Sequence, residues 1–307
     1  MNIELGRKLR VSERHRYSVT ENRINNSRNN NLEALNKLST QKKINKLSDD
    51  PISLVRSLKL KDKVHEIADF KQNAYFSKGF LDVTESAIGS IHERLSRARE
   101  LAITMANDTY DGENRNITSK EVKQIINQVI QSANSKYAAK YVFSGFRSTA
   151  PAIDLDRNFL GDDGEIFLQI GPQHFKKINI PGRALFETDA SEREGGHFNM
   201  INALKLLHSA LQSDDKDAIY KSVDELEYQM DKLSSFQSSV GAIWSAITEA
   251  EKKLEYNELQ KVGFISKLED ADIYKATSDL KRTETVLQST LLASNKLLQP
   301  SLLNFLQ

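Results

Sequence analysis

The sequence predicts a mainly α fold: long helices bundled as a rod, with a small β-rich inserted domain. Three observations carry that expectation. Breakers and strand formers are scarce, with 13 Gly, 5 Pro and 7% aromatic residues in a chain of 307, which favours helix over most of the length. Apolar residues recur three and four positions apart over long stretches. The texture changes once, between Thr149 and Ser191, where three of the five prolines and four of the 13 glycines lie.

The first element is the least regular. Residues Glu21 to Asn31 contain six asparagines, whose side chains compete for backbone hydrogen bonds and weaken a helix. Leu32, Leu35 and Leu38 follow at a spacing of three. That short apolar stripe is expected to order only when a partner covers it. Ser48-Asp49-Asp50-Pro51 then reads as a helix start. Asp50 caps free backbone N–H groups, and Pro51 occupies the first helical position, where its missing N–H costs nothing.

A long helix is predicted from about Pro51 to Asn107, with the seam Ile88, Ile91, Leu95, Ala98, Ala102 and Met105. Tyr110-Asp111-Gly112 breaks it. A second helix is expected from near Ser119, with Val122, Ile125, Val129 and Ala133 inward, ending before Ser144-Gly145. Two short β runs follow, Ile166 to Ile170 and Lys177 to Ile180, each bounded by turn residues. A third helical seam runs Ile219, Val223, Leu226, Met230, Leu233, Val240, Ile243, Ile247 and Leu254. The last helix carries Leu280, Leu287, Leu291, Ser294 and Leu298. The seams of Leu32 to Leu38 and of Leu280 to Leu298 are thin and interleaved with Ser, Thr and Asn. Such seams are marginal alone and stable when shared among subunits.

Composition excludes several classes of function. Lys+Arg 43 nearly cancels Asp+Glu 42, whereas nucleic-acid binding calls for a concentrated basic face. No cysteine is present, so there are no disulfides, thiol chemistry or Cys-based zinc sites. The least charged run, Leu287 to Leu306, is too polar to span a bilayer. Met1 to Arg10 has no apolar core of signal-peptide length, so classical export is not expected.

Candidate chemistry is correspondingly thin. Asp154, Asp156, Asn158 and Glu165 match acidic positions of an EF-hand loop. Phe159 stands where the loop's glycine belongs, so a polar turn entering a β-hairpin is the better reading. The six histidines never lie three or four apart, so no helical face offers a zinc pair. No phosphate-binding loop, nucleophile elbow or dinucleotide fingerprint occurs. The chain reads as a non-enzyme with no cofactor.

Three ordered blocks carry a family resemblance. Leu38-Ser39-Thr40-Gln41-Lys42-Lys43-Ile44 with Ser48-Asp49-Asp50-Pro51 resembles the L-S-T-G-K-R-[IV]…S-D-D-P pattern of the bacterial flagellin superfamily, with Gln41 where glycine is usual. Tyr141-Val142-Phe143-Ser144-Gly145-Phe146-Arg147-Ser148 resembles a block found in its hook–filament junction branch. Asp270-Ala271-Asp272 through Leu287-Gln288, then Gln299-Pro300-Ser301-Leu302-Leu303, resembles the shared C-terminal helix. Leu9-Arg10-Val11-Ser12 resembles the family's usual start, so Met1 to Lys8 are either a true extension or the product of a misplaced start codon, and are expected to be dispensable.

That resemblance implies paired terminal helices, with residues 1–45 and 264–307 forming a coiled coil that orders only on assembly. It implies a helical bundle of residues 46–148 and 192–263, and an outward insertion of residues 149–191. The implied function is a structural adaptor joining hook to flagellin filament; the alternative is a flagellin filament subunit. Implied partners are neighbouring copies of the chain, the upstream hook-associated protein, flagellin and a flagellar export chaperone, with no nucleic acid and no membrane. Leu32, Leu35, Leu38, Leu280, Leu287, Leu291, Leu298, Leu302 and Phe305 are the expected interface. Ser48, Asp49, Asp50, Pro51, Phe143, Ser144 and Gly145 are the family-motif positions. The implied location is the flagellum, reached through the flagellar export apparatus.

Overall fold

A computed structural model describes residues 2–107, 109–154 and 158–298, with side chains described from 14 to 296. Met1, Leu155 to Arg157, the Leu298 side chain, Leu302 and Phe305 therefore lie outside it. The fold is mainly α. In chain order the helices are α1 (Asn2–Thr40), α2 (Pro51–Met105), α3 (Gly112–Ala133), α4 (Gly182–Phe186), α5 (Ala190–Glu194), α6 (Met200–Ser213), α7 (Lys216–Glu269) and α8 (Ile273–Leu298). Two antiparallel hairpins lie between α3 and α4: β1 (Lys136–Tyr137) with β2 (Lys140–Tyr141), and β3 (Phe167–Gly171) with β4 (His174–Lys177). The chain divides into two compact units, Met1–His65 with Glu258–Gln307, and Glu66–Asn257.

The second unit holds the hydrophobic core. In α2 the predicted seam of Ile88, Ile91, Leu95, Ala98, Ala102 and Met105 is buried, and Leu81 and Ala74 continue it at a spacing of seven. In α7 the fully buried residues Ile219, Leu226, Leu233, Val240 and Ile247 recur every seven positions, and Leu254 continues the series. Burying one such side chain contributes about 1.5–3 kcal/mol, so this seam dominates the unit. Arg99 pairs with Glu227, Trp244 Nε1 donates to Asp82, and Lys78 pairs with Glu251. Positions rising along α2 thus meet positions falling along α7, an antiparallel arrangement.

Local chemistry sets the boundaries. Asp111 accepts the Asn114 backbone N–H at 2.9 Å, so α3 starts at Gly112, seven residues before the predicted Ser119. The expectation missed it because Asn114 and Asn116 carry no apolar signal, while the cap fixes the turn. The amphipathic α6 was not foreseen at all. It is capped by Asn199, packs against α3 and buries Met200, Leu204, Leu207 and Leu211. Strand β3 falls where predicted, but β4 occupies His174–Lys177 and Lys177–Ile180 does not extend it. Ile178 and Ile180 are buried in the core of the unit instead.

Arg115 is the main buried charge in this unit, 2% exposed. Its Nε donates to the Met105 carbonyl at 2.8 Å and its Nη2 to the Asn107 carbonyl at 3.1 Å, and Nη1 pairs with Asp214. The Met105 carbonyl, one of the last four of α2 and so without an intrahelical donor, is thereby satisfied. Asp214 itself ends α6 with φ +57°.

Candidate functional site: the terminal unit and the motif blocks

Within the first unit, α1 packs against α8. The Ser27 and Thr290 hydroxyls lie 3.3 Å apart, and Asn31 Nδ2 donates to Thr283 Oγ1 at 3.3 Å, so the helices run antiparallel. The least exposed positions of α1 in this stretch include Thr20, Ile24, Ser27, Asn31, Ala34 and Leu38, alternately four and three apart. On α8 the corresponding set is Ala276, Leu280, Thr283, Leu287, Thr290 and Ser294, with the same alternation. Both are heptad seams. They are unusual in content: only Ile24, Leu38, Leu280 and Leu287 are large and apolar.

The expected interface leucines therefore divide. Leu38, Leu280 and Leu287 lie in the seam. Leu32, Leu35 and Leu291 stay 46%, 46% and 42% exposed on the outside of the pair. Leu47, Ile52, Val55, Leu58, Leu259, Val262, Phe264, Ile273 and Tyr274 of the same unit are also exposed. An exposed leucine alone is ordinary; this unit exposes many large apolar side chains.

The segment between α1 and α2 is tied to the α7–α8 joint. The Lys43 backbone N–H donates to the Glu269 carbonyl at 2.7 Å, and the Ala271 N–H to the Gln41 carbonyl at 2.8 Å. The buried Glu269 carboxylate accepts from Lys42 Nζ at 2.9 Å, from Lys61 Nζ and from Ser57 Oγ. Burial works to raise the Glu269 pKa, but the Lys61, Ser57 and Lys42 donors outweigh it and bring the group down to about 2. Gln41, in the position where glycine is usual in the family pattern, has φ +57°. It takes the left-handed conformation that glycine adopts without penalty.

Ser48-Asp49-Asp50-Pro51 is a capping device. Asp49 Oδ2 accepts the Asn45 and Lys46 N–H groups, each at 2.9 Å, and Asp50 Oδ1 accepts the Ser53 N–H at 3.0 Å. The two N–H donors hold the Asp49 carboxyl below the usual carboxylate range, and the Ser53 hydroxyl followed by its N–H does the same for Asp50. Pro51 is the first residue of α2. In the C-terminal block, Asp272 caps α8 by accepting from Tyr274 and Lys275.

The Tyr141 to Ser148 block lies in the second unit. Val142, Phe143, Ser144 and Gly145 are buried, and the Phe143 ring meets Phe186 edge-on at 5.4 Å. Ser144 Oγ donates to the Ala150 carbonyl at 2.9 Å. Gly145 has φ +65°, and a Cβ there would lie 2.6 Å from the Asp162 carbonyl oxygen. Asp162 Oδ1 accepts the N–H groups of Phe146 and Gly164. The block is explained by packing and turn geometry, with no reactive group in it.

Of the acidic segment after it, Asp154 and the residues from Asn158 on are described. The Asn158 N–H donates to Asp154 Oδ1 at 2.7 Å, Ile153 bridges Phe159, and Glu165 pairs with Lys177. Among the described residues no group of three or more His, Cys, Asp or Glu could hold a metal ion, and no helix is long and apolar enough to cross a membrane.

Residues 11–148 match the bacterial flagellin N-terminal helical region, and residues 223–306 match the bacterial flagellin C-terminal helical region. The chain belongs to the bacterial flagellin family. Within this family it is similar to flagellar hook-associated protein 3 of Salmonella typhimurium, 20% identical over 300 residues, which cover 92% of this chain and 95% of that protein. It is also similar to flagellin FlaB1 of Treponema pallidum, 22% identical over 256 residues, 83% of this chain and 84% of the relative. Among solved structures, the flagellar junction protein FlgL of Legionella pneumophila shares the fold, with a TM-score of 0.58 at 14% identity over 70% of this chain and 100% of that one. The flagellin-family regions contain all three motif blocks described above.

Proposed function

We propose that this flagellin-family chain is a non-enzymatic structural adaptor of the bacterial flagellum, joining the hook side to the flagellin filament. The observation that carries the reading is the end-to-end likeness to hook-associated protein 3, over 300 residues and 95% of that protein. The Tyr141 to Ser148 block, whose residues Val142 to Gly145 are buried and which resembles the junction branch, supports it. Its partners would be neighbouring copies, the upstream hook-associated protein and flagellin, with an export chaperone before assembly. It would leave the cell through the flagellar export apparatus. The exposed Leu32, Leu35 and Leu291 would be covered by those neighbours, together with Leu298, Leu302 and Phe305 beyond the described side chains. The terminal segments, residues 1–45 and 264–307, would gain their final order there.

The second reading, a filament subunit, has the FlaB1 likeness in its favour. Deleting the gene separates the two. Bare hooks on electron micrographs, with flagellin shed into the medium, are the expected result. Loss of filaments without shed flagellin would assign the chain to the filament, and unchanged filaments would overturn both readings.

A further inference from the structure

Between the buried residues Phe186 and Met200 the chain crosses α7 without burying a side chain, and every residue of 187–199 is at least partly exposed. Its hold on α7 is mainly polar. Glu192 of α5 pairs with Lys232 at 2.6 Å and accepts from the Tyr228 hydroxyl at 3.2 Å. Lys232 Nζ also donates to the Glu187 carbonyl at 3.2 Å. Further along, the His197 ring stacks on Tyr228 with 3.7 Å between centroids, and its Nδ1 lies 3.1 Å from the Glu225 carboxylate. Glu225 accepts the Phe198 N–H at 3.0 Å, and Gln229 Nε2 donates to the Phe198 carbonyl at 2.7 Å. The α7 members of these contacts, Glu225, Tyr228, Gln229 and Lys232, are spaced three, one and three apart, which makes them one stripe of the helix. Two of them are buried although polar: Glu225 is 6% exposed and Gln229 fully buried. Gln229 Oε1 has no donor among the described residues.

We propose that residues 187–199 form a lid that lifts from α7 as one unit while the helical bundle stays folded, and so controls when the polar stripe of α7 meets solvent. The lid goes beyond the adaptor reading and does not depend on it. Polar contacts within a protein replace contacts with water and hold weakly on balance, whereas α6 and α7 are held by apolar burial. A segment without buried apolar contacts opens well below the free energy of global unfolding. The opening has fixed limits, because Leu185 and Phe186 at one end and Met200 and Ile201 at the other belong to the hydrophobic core. Gly195 and Gly196 lie between the two fastenings, and Gly196 takes φ +79°, a conformation that glycine adopts without strain. Tyr228 joins the fastenings, its hydroxyl on Glu192 and its ring on His197, so that they part together. The occupant of the stripe is thus the lid itself.

Hydrogen exchange on the full chain at neutral pH tests this. The Glu192, His197 and Phe198 amides are bonded to Asp189, to the Glu192 carbonyl and to Glu225. They should nevertheless exchange about a hundredfold or more faster than the Leu204 and Leu207 amides of α6. Lys232→Met should speed all three by about a further tenfold and leave α6 unchanged, and Lys232→Arg should keep most of the protection. Lid amides as slow as those of α6 would overturn the proposal. Equal acceleration of α6 in Lys232→Met would also overturn it, since the lid would then open only with the bundle. Acceleration at Glu192 with Phe198 unchanged would do the same, by showing two separate contacts in place of one lid.

Discussion

Lys42 and Glu269 lie 227 residues apart in the chain and meet at 2.9 Å. Their contact joins the end of α1 to the end of α7, and Lys61 and Ser57 of α2 converge on the same carboxylate. Three segments of the terminal unit are thus fastened at one buried acid.

Replacing that acid should loosen the fastening. The drop of the Glu269 pKa from 4.5 to about 2 corresponds to roughly 3 kcal/mol. Lys42 and Lys61 are 45% and 36% exposed, so solvent screening reduces the net effect to about 2 kcal/mol. Because the folded pKa is depressed, the contribution is complete above pH 4.5 and is lost as the pH falls through about 2. Hydrogen exchange at the Lys43 and Ala271 amides should accelerate in Glu269→Gln at pH 7. Little difference from the parent would show that the carboxylate is not what holds the joint.

Gln41→Gly should stabilise the terminal unit by about 1 kcal/mol, since φ +57° is free of Cβ strain only in glycine. Denaturant unfolding checks this, with Gln41→Val expected to move the midpoint the other way. A lower midpoint for the glycine variant would mean that the Gln41 side chain contributes more than its backbone strain costs.

Gly145→Ala meets two obstacles at once, a left-handed backbone and the Asp162 carbonyl. Destabilisation of about 3 kcal/mol is expected for the second unit, through strain and steric overlap. A thermal midpoint unchanged within error would show that the Gly145 to Gly164 turn rearranges freely.

Aspartate at Leu287 and at Leu291 should give different phenotypes. Leu287 is in the α1–α8 seam, so Leu287→Asp puts an unpaired charge there and should reduce helix content as well as assembly. Leu291 faces outward, so Leu291→Asp should keep the circular dichroism of the parent and still fail to support filaments. Normal filaments from Leu291→Asp would take that residue out of the proposed interface.

The long elements were legible because their signals are redundant. Ser48 to Pro51 combines a cap with a helix-starting proline, and the seam from Ile219 to Leu254 repeats an apolar residue every seven positions. The α1–α8 seam was only partly visible. Leu32, Leu35 and Leu38 stand out by hydrophobicity, yet the packed face is marked by Thr20, Ser27, Asn31 and Ala34, whose small side chains permit close approach and register weakly on any apolar scan. The Glu269 cluster gave no local sign, since its donors, Lys42 on one segment and Ser57 with Lys61 on α2, lie 208 to 227 residues away in the chain. Helix α6 does carry a plain amphipathic pattern and was overlooked. The β4 register depended on the turn at Gly171 to Gln173, where Gln173 takes φ +57°.

Arg115 couples three chain ends through one side chain. The end of α2, the first turn of α3 and the left-handed residue closing α6 all depend on one guanidinium. None of these three chain reversals is complete while another is open, because each missing partner leaves a buried cation exposed to an apolar neighbourhood. Loosening any one of the three chain ends thus weakens the hold on the other two, because all are read by a single buried cation.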